Sequence, residues 1–249
     1  MAELGVDAVL LSVGPDLPYL TGYEAMPLER LTMLVLPVDG DATLVVPRLE
    51  APRVVERPEV FEVRAWDETD DPVAIVAAGA NAASPHHEPG ERVIAEGEVV
   101  LCDFGGTMID DDGIGYCSDI TRCVHLGEPS PEMAEAYAVL LEAQQAAVAA
   151  AVVGTACEEV DATARRIITE AGWGEQFIHR TGHGIGIEEH EDPYIVSGND
   201  TPLEPGHAFS IEPGIYVPGR FGFRLEDIVV AADAGPDPLN HADHDLALL

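Results

Sequence analysis

Residues of the types that hold metal recur along this chain, among them Asp103, Asp119, His183, His190, Glu212 and Glu226. Two hard carboxylates must converge to hold a pair of divalent ions, and a strand pair carrying Asp103 on one arm and Asp119 on the other offers them. Alternation places Asp119 on the same strand face as Cys117 and Thr121. An imidazole is available in Thr181-Gly-His-Gly-Ile-Gly186, where glycine permits close backbone approach. A further histidine, His190, occurs in Glu188-Glu-His-Glu-Asp-Pro193. Ser210-Ile-Glu-Pro-Gly214 and Arg224-Leu-Glu-Asp227 each set a Glu inside or beside an apolar strand. Burying such a carboxylate is costly unless it is paired or bound to metal. Arg224 and Glu226 lie two apart, so a regular strand places them on one face, where they can form a supporting ion pair.

The elements that must carry these residues follow from periodicity and turn chemistry. Residues 4 to 66 read as a small α/β unit. Its strands are Ala8–Val13, Leu31–Pro37, Ala42–Pro47 and Phe61–Trp66, with a hairpin at Asp39-Gly40 and a short helix around Leu49–Glu56. The acidic, Pro-ended stretch Asp67–Pro72 marks a boundary. Val73–Ala78 then runs into a loop holding His86 and His87. Val99–Ile109 and Ile114–His125 pair as a long hairpin whose tip contains Asp110, Asp111 and Asp112. Pro131 opens a helix capped by Ser130, with Met133, Tyr137, Leu140, Leu141, Gln144 and Val148 at helical spacing. Thr155-Ala-Cys-Glu158 reads as a capping box opening the next helix, which ends near Gly172. Short strands follow from Phe177 and end in the run Arg224–Ala231.

Composition excludes several partners. Acidic residues outnumber basic ones 46 to 12 over 249 residues, for a formal charge of −34, and all twelve basic residues are Arg. Nucleic-acid binding needs clustered cations to neutralise phosphates, so no nucleic acid is expected. Anionic membrane surfaces are disfavoured likewise, and the apolar stretch Ala134–Val153 is interrupted by Glu135, Glu142, Gln144 and Gln145, so it falls short of a spanning segment. With no positive region before Ala8, a cytoplasmic location is expected. The four cysteines show no C-x-x-C pairing and read as free thiols.

The order Asp, Asp, Gly-His-Gly, Glu-Pro-Gly, Arg-x-Glu-Asp resembles the creatinase/prolidase family of metallopeptidases. The matching stretches are Gly79–His86, Leu101–Gly105, Tyr116–Arg122, Thr181–Gly186, Ile211–Gly214 and Arg224–Asp227. The resemblance covers about Val73 to Ala231, and more loosely residues 4–66. It implies an α/β (α+β) fold with a pita-bread catalytic domain over 71–249 that lacks its opening helices, preceded by a partial creatinase-like α/β domain over 1–70.

By that resemblance Asp103 holds one metal ion, Asp119 and Glu226 bridge two, and His183 with Glu212 completes the second metal's shell. Oxygen-rich ligands with one imidazole suit Mn²⁺ or Co²⁺ at least as well as Zn²⁺. A hydroxide between the ions is the implied nucleophile, and Glu212 the implied proton shuttle. His86 and His190 are the implied substrate-binding and charge-stabilising histidines, His179 a further active-site His, and Arg224 the group orienting the bridging carboxylates.

The implied substrate is a peptide with proline after the scissile bond, leaving dipeptidase and aminopeptidase both open. A methionine aminopeptidase-like activity and a non-catalytic module that binds basic proteins are the alternatives. The shortened catalytic domain is expected to leave an apolar face, covered in a homodimer or exposed.

Overall fold

The first strands form where apolar residues alternate between turn signals. The computed structural model describes residues 8–14, 16–25, 32–48, 50–66, 73–84, 92–109 and 115–249. By internal contacts the chain divides into two units, Met1–Ala74 with Gly106–Gly115, and Ile75–Gly105 with Tyr116–Leu249.

In the first unit, β1 (Ala8–Leu11), β2 (Met33–Pro37), β3 (Ala42–Pro47) and β4 (Phe61–Trp66) form a sheet in that order. The β1/β2 and β2/β3 pairs are antiparallel and β3/β4 is parallel. Gly40, at φ 118°, turns the chain between β2 and β3, where a side chain would be strained. Helix α1 (Asp16–Thr21) adds Leu17 to a core of Leu34, Leu44, Val46 and Phe61. The helix expected around Leu49–Glu56 contracts to one 3₁₀ turn, Ala51–Arg53. Pro52 falls in the first turn, where its missing N–H costs nothing, while Arg57, before Pro58, bridges to Phe61 and so lies outside any longer helix.

β5 (Val73–Ala78), β6 (Val99–Ile109), β7 (Gly115–His125) and β15 (Ala247–Leu248), most of whose residues belong to the second unit, make one sheet, ordered β15-β7-β6-β5. Odd-numbered residues of β7 from Asp119 to His125 are buried, the alternation expected of a half-buried strand. The acidic tip at 110–112 and the histidines at 86 and 87 lie outside the described residues. Helix α2 (Pro131–Ala150) is capped as expected, the Ser130 side chain accepting from the Met133 N–H. Its buried stripe is richer in alanine than the large residues suggest: Ala136, Ala143 and Ala147 are buried beside Met133, Tyr137 and Leu140. Gln144 is also buried, its Nε2 donating to Asp227 Oδ2 at 2.9 Å.

Helix α3 (Cys157–Glu170) starts differently from the expected capping box. Ala156 occupies the N-cap with no side-chain cap. The first-turn N–H groups of Cys157 and Glu158 instead donate to the carbonyls of Thr201 and Asn199, so the orphan donors are satisfied by a distant loop. Gly172, at φ 91°, follows the helix end.

A five-stranded sheet completes the unit in the order β14-β13-β10-β8-β9, from β8 (Gly182–Gly184), β9 (Glu191–Ile195), β10 (Ala208–Ile211), β13 (Asp227–Val230) and β14 (Asp237–Pro238). Strands β11 (Gly214–Val217) and β12 (Phe221–Arg224) pair separately. The apolar run expected from Arg224 to Ala231 is thus broken at Leu225 and Glu226. All four cysteines are free thiols. Among the described residues no helix is long and apolar enough to cross a membrane.

Candidate metal centre

The two sheets of the second unit meet at a cluster of acids. Asp119, His183 and Glu226 place ligand atoms within 4.8 Å of one another. Asp119 is 8% exposed, His183 2% and Glu226 1%. Asp119 rides on β7 and His183 on β8. Glu226 sits in the break between β12 and β13, where its N–H donates to the Thr121 carbonyl at 3.2 Å. That break turns the carboxylate away from the strand ladder, and Thr121 Oγ1 donates to its Oε2 at 2.6 Å.

Two further carboxylates border this trio. Asp103 Oδ2 accepts from Arg224 Nη2 at 2.5 Å, and Glu212 Oε1 lies 3.2 Å from His183 Nε2. Arg224, 4% exposed, also donates to Thr121 Oγ1 at 3.1 Å and to the Tyr216 hydroxyl at 3.0 Å. The ion pair expected between Arg224 and Glu226 is therefore not the one formed. The guanidinium reaches across to Asp103 and acts on Glu226 through the shared Thr121 hydroxyl.

Glycine makes the convergence sterically feasible. A Cβ on Gly182 would lie 1.8 Å from the Ser210 carbonyl oxygen, and one on Gly184 would lie 2.4 Å from the Asp192 carbonyl oxygen. Strand β8 can carry His183 between its neighbours only with bare backbone on either side. The Ser210 hydroxyl accepts from the His183 N–H and donates to Glu212 Oε1, both at 3.0 Å, and so links the imidazole strand to the carboxylate.

Charge in this cluster is far from balanced within the protein. Asp103, Asp119, Glu212 and Glu226 face one guanidinium. Burial first, then the neighbouring Asp103 carboxylate, pushes the Asp119 carboxyl up to about 8. Burial, followed by Glu212 and Asp119, raises Glu226 well above the ordinary carboxylate range. For Glu212 burial acts upward as well, but the His183 imidazole leads a set of positive groups that hold it below its ordinary value.

These observations fit divalent cations. Glu226 Oε1 is buried with no hydrogen-bond partner. His183 Nδ1 lies 3.0 Å from the Gly184 carbonyl, a geometry that places a proton on Nδ1 and turns Nε2 toward the carboxylates. Buried carboxyls crowded in this way either keep their protons or share a cation.

The structure brings His179 and His190 to different sides of this cluster. His179 Nε2 accepts from the Tyr216 hydroxyl at 3.0 Å, so it joins the Arg224 network. Burial above all lowers its pKa. The His190 ring packs edge-on against His183 with centroids 4.1 Å apart. Burial, then the charges of His183 and Arg180, holds the His190 imidazole below its ordinary value.

Several supporting residues are invisible to motif reading. Asp161, 1% exposed on α3, accepts from the Thr181 N–H at 3.2 Å and hydroxyl at 2.7 Å. It also pairs with Arg165, whose guanidinium donates to the Phe177 and His179 carbonyls. This pair anchors the segment leading into His183. The helical i, i+4 spacing of Asp161 and Arg165 is the only local signal of it. Asp161→Ala is expected to destabilise the protein by about 1–3 kcal/mol through the unsatisfied groups it leaves, read as a lowered melting temperature, with Asp161→Asn recovering part. An unchanged melt would show that the segment holds itself in place.

Tyr216 and Thr121 likewise give no local signal of their roles. Both act by bridging Arg224 to other site residues, a role set by three-dimensional neighbours. A second network lies behind Glu226, where Asp227 accepts from Arg122 at 2.7 Å and approaches His244 Nε2 at 2.5 Å.

The chain has relatives among known proteins. Residues 60–233 match the model of metallopeptidase family M24, and residues 1–102 match the creatinase/prolidase N-terminal domain. The chain is 50% identical over 175 residues to a probable dipeptidase PepE of Mycobacterium tuberculosis, covering 70% of this chain and 46% of that protein. It is 52% identical over 175 residues to a Xaa-Pro dipeptidase of Lactobacillus helveticus, with the same coverage. The matched stretch thus spans about half the length of these curated relatives. Among solved structures, dipeptidase PepE from Mycobacterium ulcerans aligns with a TM-score of 0.68 at 32% identity, covering 99% of this chain and 94% of that one. Prolidase from Thermococcus sibiricus aligns at 0.67 with 30% identity, covering 100% and 96%.

Proposed function

Because this chain belongs to metallopeptidase family M24, we propose that it hydrolyses the peptide bond preceding proline, using divalent metal held by Asp103, Asp119, His183, Glu212 and Glu226. The observation that carries this reading is the buried convergence of Asp119, His183 and Glu226 beside an unpartnered Glu226 oxygen. Mn²⁺ or Co²⁺ suits the donor set of four carboxylates and one imidazole, with Zn²⁺ the alternative. Two such ions, when bound, supply Lewis acidity toward the scissile carbonyl and lower the pKa of water.

The chain's own residues perform the remaining work. Glu212, kept ionised by His183, accepts a proton from the attacking water and passes it to the leaving proline nitrogen. His190, against His183 and open to solvent, meets the charge that develops on the substrate. His86, which lies outside the described residues, is retained as the second histidine facing substrate. Arg224 holds Asp103 and, through Thr121, Glu226, so that the carboxylates cannot turn away. His179 and Tyr216 fix the guanidinium from the other side.

The experiment is a Xaa-Pro cleavage assay before and after chelation. Chelator is expected to abolish turnover and Mn²⁺ or Co²⁺ to restore it, with peptides lacking proline after the scissile bond left intact. Equal turnover in chelator, with metal content shown to be negligible, would overturn the reading.

We also read 1–70 as a partial N-terminal domain joined directly to a catalytic domain without its opening helices. End-to-end structural alignment supports this, because the contiguous sequence match occupies only 46% of the curated relatives. Purified protein is then expected to bind a hydrophobic dye or to sediment as a dimer. A dye-negative monomer would count against the missing segment having mattered.

A further inference from the structure

Two of the proposed ligands come from strands of different sheets, Asp119 from β7 and Glu226 from the break before β13. Like charges repel, so the separation of these two carboxylates must be fixed from outside the cluster. The backbone alone contributes little to this. Among the described residues the two strands share one isolated bridge, Thr121 with Glu226. A third segment, residues 240–244, supplies further links.

Asn240 follows β14, and its side-chain amide reaches both strands. Its Oδ1 accepts from the Ile228 N–H at 2.6 Å, two residues past Glu226, and its Nδ2 donates to the Asp119 carbonyl at 3.1 Å. An amide suits this place because it offers a donor and an acceptor on one rigid plane, whereas a carboxylate has no donor for the carbonyl. The first bond extends the β13/β14 ladder, in which the Leu239 N–H already donates to the Ile228 carbonyl at 2.8 Å. The second bond has no such local reason, since 121 positions separate Asn240 from Asp119. Arg122 fastens the same segment beside it. Its guanidinium donates to the carbonyls of Thr121 and Glu226 and to those of Ala242 and Asp243. Residues 240–244 thus grip the ligand strands by their backbone groups and leave the carboxyl groups to the site.

Building on the metallopeptidase reading, on which this step rests, we propose that Asn240 is a positioning residue for the metal centre. By tying the Asp119 carbonyl to the Ile228 N–H, it sets the separation at which Asp119 and Glu226 meet a shared cation. Without that tie the two carboxylates spread under their own repulsion, and an ion meets one of them at a time. Groups that hold a ligand from behind change metal affinity by about ten- to hundredfold when removed.

Mn²⁺ titrated calorimetrically into metal-stripped wild type, Asn240→Asp, Asn240→Leu and Tyr137→Phe tests this assignment. Asn240→Asp keeps the acceptor for the Ile228 N–H and loses the donor for the Asp119 carbonyl, while its added negative charge by itself favours a cation. Its Mn²⁺ affinity is nevertheless expected to fall about tenfold, and that of Asn240→Leu at least as far. Tyr137→Phe loosens the same segment elsewhere, by removing the hydroxyl that donates to the His244 carbonyl at 2.8 Å. It is expected to melt lower in chelator yet to bind Mn²⁺ within about twofold of wild type, because it touches no ligand strand. Xaa-Pro turnover of the Asn240 variants should return at saturating Mn²⁺ with KM unchanged. Should Asn240→Leu fail to fold, Asn240→Asp alone decides the matter. Absence of Xaa-Pro cleavage by wild type would sink the peptidase reading and leave the calorimetric comparison standing. Wild-type affinity in Asn240→Asp, or an equal loss in Tyr137→Phe, would overturn the positioning role.

Discussion

Loading metal-stripped protein with Mn²⁺ is expected to raise its melting temperature by about 8–16 °C at a free ion concentration a thousand times the dissociation constant. Binding to the folded state alone contributes about 4 kcal/mol at that ratio, and each kcal/mol shifts the melt of a chain this size by about 2–4 °C. The cause lies in the uncompensated acids. Asp119 goes from an ordinary 3.8 to about 8 by burial and by the Asp103 charge, and Glu226 is raised well above its ordinary range. A carboxyl with a folded pKa above its unfolded one binds its proton more tightly when folded. Its contribution is fully present below the unfolded value, near pH 4, and is lost as pH rises through about 8. Metal-free protein should therefore melt lower at pH 8.5 than at pH 5. Bound metal needs the deprotonated acids and reverses that dependence. A melt that neither responds to metal nor falls with pH in chelator would refute a cation-demanding cluster.

Replacing Glu212 by Gln should lower the catalytic constant by about a thousandfold, within the range of lost general acid–base catalysis. The exchange preserves shape and the contact with the Ser210 hydroxyl, which donates to Glu212 Oε1 at 3.0 Å. It removes the negative charge that His183 and Arg224 hold ionised. Because removing one buried like charge relieves repulsion with Glu226 and Asp119, folding should survive, and circular dichroism should match wild type. A catalytic constant within tenfold of wild type would remove Glu212 from proton transfer.

Local chemistry makes much of this molecule readable in advance. Ser130-Pro131 starts α2, Asp39-Gly40 turns β2 into β3, and Gly172 ends α3, because each depends on residues within a few positions. The candidate ligands stand out for the same reason: a carboxylate amid Ile and Phe, or an imidazole amid glycines, conflicts with its own neighbours unless something distant resolves the conflict. The resolution itself is not local. Arg224 chooses Asp103, 121 positions away, over Glu226 two positions away. The strand break at Leu225 and Glu226 turns the backbone, so period-two reasoning fails there. The first turn of α3 takes its caps from the carbonyls of Asn199 and Thr201, which no capping-box pattern can foresee. Asp161 and Arg165 have the spacing of a surface helix pair, yet they hold the carbonyls and N–H groups of the segment before His183. The sequence by itself determined which groups are costly to bury and which turns the chain makes. Tertiary structure alone decided which acids meet and which cation answers them, since Coulomb energies depend on distances between residues that the chain brings together only on folding.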